Sequence, residues 1–155
     1  MRPPRASRRR TAGFTLVEML AVLAILALVA GMAVPYLRGS ASDRVRLEAA
    51  SRHLAAALRL SRAAAVLRQT EVALVVDTDR HEFASAAVPR ETFDQDIAVQ
   101  LEIAEPERAN PSRGGVRFFA DGSSTGGEIT LRLGNREARI CVNWLAGETR
   151  LGGGC

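Results

Sequence analysis

The chain has 155 residues, enough for one modest domain plus an extra element. Hydrophobic residues make up 47% of it and aromatics only 5%, with the apolar content, mostly Ala, Val and Leu, gathered near the N-terminus. The formal charge of +4 does not describe a nucleic-acid face: Arg2, Arg5, Arg8, Arg9 and Arg10 lie in the first 13 residues, and the remainder holds 16 Arg against 17 acids.

In chain order, the Arg-rich start is followed by an apolar run. Residues 14–37 read FTLVEMLAVLAILALVAGMAVPYL, with no charge from Met19 to Tyr36. As a helix rising about 1.5 Å per residue, this stretch spans a hydrocarbon core of about 30 Å. The preceding Arg cluster places the N-terminus in the cytoplasm and sends the rest of the chain across the membrane. The run exceeds the roughly 7–15 apolar residues of a secretory signal core.

Glu18 is out of place in such a run. A charged side chain at the bilayer centre costs about 2.5–3.5 kcal/mol on insertion scales, less near an interface. Two arrangements relieve that cost. Glu18 can sit shallow and snorkel to headgroups. Alternatively, cleavage between Gly13 and Phe14 frees an α-amino group, with a reference pKa of about 7.7–8, and Glu18 of one subunit meets the Phe14 amine of the next.

Gly13-Phe14-Thr15-Leu16-Val17-Glu18, followed by an apolar helix and preceded by a short basic leader, resembles the class III signal of type IV pilins and type II secretion pseudopilins. The resemblance implies cleavage between Gly13 and Phe14 by a prepilin peptidase, N-methylation of Phe14, and an assembly role for Glu18. Pro35 falls where these families often have a helix kink. A helical proline removes a donor and crowds the preceding turn, and Gly31 adds local weakness.

Residues 38–68 read as an amphipathic helix with a net charge of +5. Leu47, Leu54, Leu58 and Ala65, with Ala50 and Ser61 between them, form one stripe suited to packing on a sheet. Arg44, Arg52, Arg59, Arg62 and Arg68 lie mainly off it and read as a solvated face, with a neighbour's acidic head as the other available partner.

Beyond Gln69 short strands succeed one another: 72–76, 82–86, 97–103, 116–119, 129–133 and 138–142. Asp77-Thr78-Asp79-Arg80 is the first turn, and 104–115, with Pro106, Pro111, Gly114 and Gly115, is a loop. The expected fold is α+β and pilin-like: a long N-terminal helix, half transmembrane and half amphipathic, packed on a small antiparallel meander of five to seven strands. The divisions are a leader at 1–13, a transmembrane helix at 14–37, a stalk at 38–68 and a periplasmic head at 69–155.

The stretch from Phe118 to Leu131, containing Asp121-Gly122-Ser123-Ser124-Thr125-Gly126-Gly127, is similar to the glycine- and serine-rich turn of the H-type minor pseudopilins (the GspH family). Cys141-Val142-Asn143-Trp144-Leu145-Ala146-Gly147 fits that group's final hairpin. The resemblance implies a structural subunit of a helical pseudopilus, at or near its tip, supporting export of folded proteins across the outer membrane. Its implied partners are other pseudopilins, the prepilin peptidase, inner-membrane lipid and the secretion platform.

The alternative is a minor type IV pilin of the FimT/FimU-like group, in pilus assembly or DNA uptake. A DNA-binding version often ends in Gly-Arg-x-Arg, whereas Gly147-Glu148-Thr149-Arg150 carries an acid at the first Arg position. Residues 69–155 have a net charge of −5, and phosphate binding needs clustered cations, so nucleic acid is not expected.

No catalytic set, cofactor or metal site is expected. His53 and His81 lack a local triad arrangement. Asp77-Thr78-Asp79 lacks a calcium loop's ligand spacing. Gly122–Gly127 lacks the Lys of a phosphate loop and precedes a strand, so it reads as a mobile turn free to touch a partner. Trp144 reads as a packing residue. Cys141 and Cys155 either close a disulfide loop, contributing about 3 kcal/mol in the chain-entropy model, or remain two unpaired thiols.

Overall fold

A computed structural model describes residues 16–104, 107–153 and 155, with backbone alone at 30–41 and 108. The leader, the Gly13–Phe14 junction and Phe14 itself lie outside the described residues. Helix α1 runs Leu16–Arg68, and strands β1 to β9 are Val72–Asp77, Glu82–Ala84, Glu91–Thr92, Ala98–Ile103, Arg108–Asn110, Arg113–Phe118, Gly127–Leu133, Arg136–Val142 and Thr149–Leu151. The chain divides into two compact units, Met1–Ser40 and Ala41–Cys155.

In the first unit, the described side chains of α1 are apolar apart from Glu18, with Leu16, Leu23, Ile25 and Leu28 all exposed. Among the described residues no helix is long and apolar enough to cross a membrane. Pro35 lies within α1, in the stretch whose side chains are not described.

In the second unit, the stripe read from the sequence is the helix's buried face. Leu54, Leu58, Ser61 and Ala65 are fully buried, and Leu47 nearly so. Ala55, Ala57 and Ala64 are buried beside them, and such small side chains let a helix approach closely. The buried hydroxyls are satisfied locally: Ser51 donates to the Glu48 carbonyl (3.0 Å) and Ser61 to the Ala57 carbonyl (2.8 Å). The helix ends where Gln69 takes a left-handed conformation (φ 51°) and Thr70 N–H reaches the Ala65 carbonyl.

The head holds two antiparallel sheets where the sequence suggested one meander. One has the order β3-β2-β1-β6-β5, the other β4-β7-β8-β9. Strand β1 pairs with β2 by a local hairpin and with the distant β6, Val72 opposite Phe118. Period-two alternation places Val72, Leu74 and Val76 of β1 in the core. Phe83, Val116 and Phe118 join them from the first sheet, and Ile129, Leu131, Ile140 and Val142 from the second.

The segment 104–115 is not wholly a loop. It contains β5 and the start of β6, and Gly114 and Gly115 are buried strand residues. A Cβ at Gly115 would lie 2.1 Å from the Leu74 carbonyl oxygen, so glycine permits the close approach of β6 to β1. At the first turn, Asp77 Oδ1 accepts the Arg80 N–H at 3.0 Å, closing the expected hairpin.

The core face of the stalk gives a sharp comparison. Leu58→Ala is expected to cost about 2–5 kcal/mol through the cavity it leaves. Leu60→Ala, on the exposed face, should stay within about 0.5 kcal/mol. Thermal or urea unfolding of the detergent-solubilised chain measures both.

Candidate functional site

Three groups of residues are candidates: the N-terminal segment, the stalk arginines and the two late turns. Glu18 lies in the first turn of α1 and is exposed. An acid there faces the positive end of the helix dipole. Around it Leu16, Val17, Met19 and Leu20 are 80%, 74%, 51% and 59% exposed, so it sits amid uncovered apolar surface.

Of the five arginines read as a solvated face, Arg44, Arg52, Arg59 and Arg68 are exposed and Arg62 is half-buried. Arg62 Nε donates to the Gly122 carbonyl at 2.9 Å, and Arg59 Nη2 to the Thr149 carbonyl at 3.2 Å. Arg68 reaches the Ala86 carbonyl at 3.5 Å. Arg52 pairs with Glu48 on the helix itself at 2.5 Å. Arg46, which the apolar spacing does not single out, grips the loop before β4, bonding Asp94 and, at 2.8 Å, Asp96. Arg59, Arg62 and Arg68 thus reach carbonyls of the head from an otherwise exposed face.

The two late turns pack on each other. Ser124 N–H donates to the Trp144 carbonyl (2.8 Å) and Ser124 Oγ to the Asn143 carbonyl (3.0 Å). Asp121 Oδ1 accepts from Ser123 Oγ–H and N–H, which holds its carboxyl below the usual range. Thr125 and Arg117 exchange a further pair of bonds. Gly122, Ser124 and Gly126 are buried or half-buried. The glycine- and serine-rich segment is thus a stitched element, not the free turn expected from its composition.

Gly147 completes this junction. It has φ 61°, and a Cβ there would lie 2.2 Å from the Gly122 carbonyl oxygen and 2.8 Å from Arg62 Nε. The two glycine turns and the stalk arginine meet at one point, a contact that neither motif announces alone.

Trp144 is not a packing residue. It is 65% exposed and Leu145 is 68% exposed. Their turn is held by the Asn143 Oδ1, which accepts from Leu145 N–H (3.0 Å) and Ala146 N–H (2.9 Å). Cys141 and Cys155 are joined by a disulfide, Cα to Cα 5.2 Å. His53 lies 3.0 Å from Glu91 and edge-on to Phe83, while His81 sits at the β1–β2 turn with φ 53°. The two histidines share no site.

This arrangement, one stalk helix capped by a small antiparallel head, defines a pilin-like protein, and solved structures share it. The minor pseudopilin EpsH of the Vibrio cholerae type 2 secretion system aligns with a TM-score of 0.55 at 13% identity, over 68% of this chain and 95% of that one. The Pseudomonas aeruginosa type IV minor pilin FimU aligns with a TM-score of 0.56 at 14% identity, over 72% and 92%.

Sequence narrows the class. The prokaryotic N-terminal methylation motif matches residues 8–34, and the family described as type II transport protein GspH matches residues 50–147. Type II secretion system protein H of Xanthomonas campestris pv. campestris is 32% identical over 155 residues, covering 98% of this chain and 91% of that protein. The chain belongs to the GspH family of type II transport proteins.

Two outcomes are expected from this geometry. Gly147→Ala combines a left-handed strain of about 1–2 kcal/mol with a backbone clash and should lower the melting temperature well below that of Gly152→Ala. Gly152 also has positive φ, but nothing lies within 4 Å of a Cβ there. Separately, Arg46 holds the Asp94 carboxyl below its ordinary 3.8 by direct hydrogen bonding, helped by the Asp96 N–H. A depressed folded pKa contributes stability above the unfolded value and loses it as pH falls through the folded one. The stability gap between the native chain and Arg46→Met should therefore hold from pH 7 to about 5 and close in stronger acid, as acid titration of unfolding would record.

Proposed function

We propose that this chain is a minor pseudopilin of a type II secretion pseudopilus. It is cut between Gly13 and Phe14 by a prepilin peptidase, N-methylated at Phe14, and anchored in the bacterial inner membrane through residues 14–37. The N-terminus stays cytoplasmic and the head is periplasmic. The subunit then enters the pseudopilus at or near its tip and supports export of folded proteins through the outer membrane. It acts by being processed and packed, with Glu18 meeting the Phe14 amine of its neighbour. The observation that carries this reading is the presence in one chain of the methylation motif at residues 8–34 and the GspH match at 50–147.

The likeness to FimU supports a pilin-like fold and does not favour DNA uptake. At the position where a DNA-binding arginine would stand, Glu148 pairs with Arg150 at 2.7 Å on the exposed surface. That hydrogen bond pushes the Arg150 guanidinium up from its ordinary value. Two cations adjacent on one loop, as phosphate binding requires, are replaced by a neutral pair.

Processing and packing are tested separately. Gly13→Leu should leave only the long precursor on an immunoblot; continued production of the shortened form contradicts cleavage at this site. Glu18→Ala should remain in the membrane fraction yet fail to enter sheared pseudopili. Normal incorporation would refute the charge pairing. A salt-dependent gel shift of DNA by the purified chain would restore the type IV pilus reading.

A further inference from the structure

Two adjoining hollows lie where the start of the stalk meets β8 and the tail after β9. The wider, about 560 Å³, is lined by Glu48, Arg52, Glu137, Arg139 and Leu151 among others. The narrower, about 290 Å³, shares Glu48 and Glu137 and adds Arg44 and Arg136. Four arginines and two glutamates thus face one cleft. Arg52 pairs with Glu48, and Arg139 with Glu137, which Arg132 also holds at 2.9 Å. Asp43, which approaches the β7–β8 turn at Gly134, pairs with Arg46 at 3.5 Å. Arg44 and Arg136 carry no ion pair among the described residues. Two spare cations therefore share one hollow, beside residues 69–155 whose net charge is −5.

We infer that this cleft binds the phosphate of an anionic phospholipid headgroup, with Arg44 and Arg136 as its cationic contacts. The inference rests on the membrane-anchored reading above and adds to it a lipid contact made by the head-bearing unit. Arginine suits the task, because its planar fork matches phosphate oxygens with paired N–H donors. The chain itself supplies the proximity. Arg44 follows Leu37, the end of the proposed anchor, by seven positions, so connectivity alone keeps the cleft within about 25 Å of the bilayer. A tethered site meets its ligand at high effective concentration, and two arginines suffice where a free protein would need more.

The surroundings of the two cations favour a lipid over other phosphates. Leu151 lines the wider hollow and is 41% exposed. An apolar side chain there suits a headgroup that continues into glycerol and acyl chain, and offers nothing to inorganic phosphate. Gly152 and Gly153 leave that side open, since nothing lies within 4 Å of a Cβ at either. A nucleic acid needs a run of cations along successive phosphates, and Glu48 and Glu137 interrupt any such run here.

The experiment uses the full chain, with benzoylphenylalanine in place of Leu151, in nanodiscs of phosphatidylcholine with or without phosphatidylglycerol. Photoproducts are identified by mass spectrometry, and protease resistance reports that the head is folded. The expected product is a cross-link to phosphatidylglycerol. Its yield should fall about tenfold or more when Arg44→Gln and Arg136→Gln are combined, and stay unchanged in Arg113→Gln, a cation of β6 outside the cleft. The yield from the native chain should also fall as salt is raised, a readout that needs no variant to fold. Equal yield with phosphatidylcholine, a yield indifferent to salt or to the double replacement, or displacement by inorganic phosphate or duplex DNA overturns the inference. A chain that does not enter the discs defeats the anchoring reading and the cleft together. A chain that enters them without a phosphatidylglycerol product defeats the cleft alone.

Discussion

The inner stripe of residues 47–65 is the contact on which the described head depends. Neither sheet buries its apolar face without it, because Leu54, Leu58 and Ala65 join side chains of both sheets in one continuous cluster. Fully burying a leucine contributes about 1.5–3 kcal/mol, and Leu47, Leu54 and Leu58 all lie on this line. The alanines and serines between them matter as much. Ala55, Ala57, Ser61 and Ala64 are buried, and a larger residue at any of them would push the helix off the strands. The mixture of Leu with small residues sets how close the layers lie.

That close approach explains the fate of the arginines. An arginine at the border of a buried stripe has a long apolar stem to lay along the surface and a planar head that finds acceptors nearby. Arg59 and Arg62 find backbone carbonyls at Thr149 and Gly122, and Arg46 finds Asp94 and Asp96. The exposed ion pairs add little stability singly. The Arg62 contact differs in consequence, since its acceptor is the carbonyl that also excludes any side chain at Gly147. It fixes the two late turns to the helix, and with them the direction in which Trp144 and Leu145 project.

What the sequence reveals and what it withholds divide along physical lines. The inner stripe was legible because helical period is a local property, and residues 97–103 because alternation is too. Ile97 is buried, and Val99, Leu101 and Ile103 face inward in turn. The pairing of β1 with β6 was not legible: it joins Val72 to Phe118 and Asp77 to Arg113, far apart in the chain, and nothing local specifies it. Gly114 and Gly115 suggest a loop because glycine weakens a strand pattern, yet close backbone approach is the other reason for glycine in a sheet. The strands Glu91–Thr92, Arg108–Asn110 and Thr149–Leu151 are too short to show a period. The residue type of Trp144 suggests packing, whereas the turn that Asn143 Oδ1 closes on Leu145 N–H and Ala146 N–H leaves the indole exposed. The processing residues Gly13, Phe14 and Glu18 were readable only as a motif, since their chemistry concerns a peptidase and a neighbour.

A fold shared at 13–14% identity with both a pseudopilin and a type IV minor pilin cannot by itself separate their tasks. The inner face of the stalk and the sheet core are what any such head requires, so they carry the shared part. Beyond that shared part the fold leaves residues free, among them the acid beside Arg150 and the exposed Trp144–Leu145 pair. At Glu148 an acid pairs with Arg150 at 2.7 Å on the exposed surface, so that the cation there is matched within the chain itself.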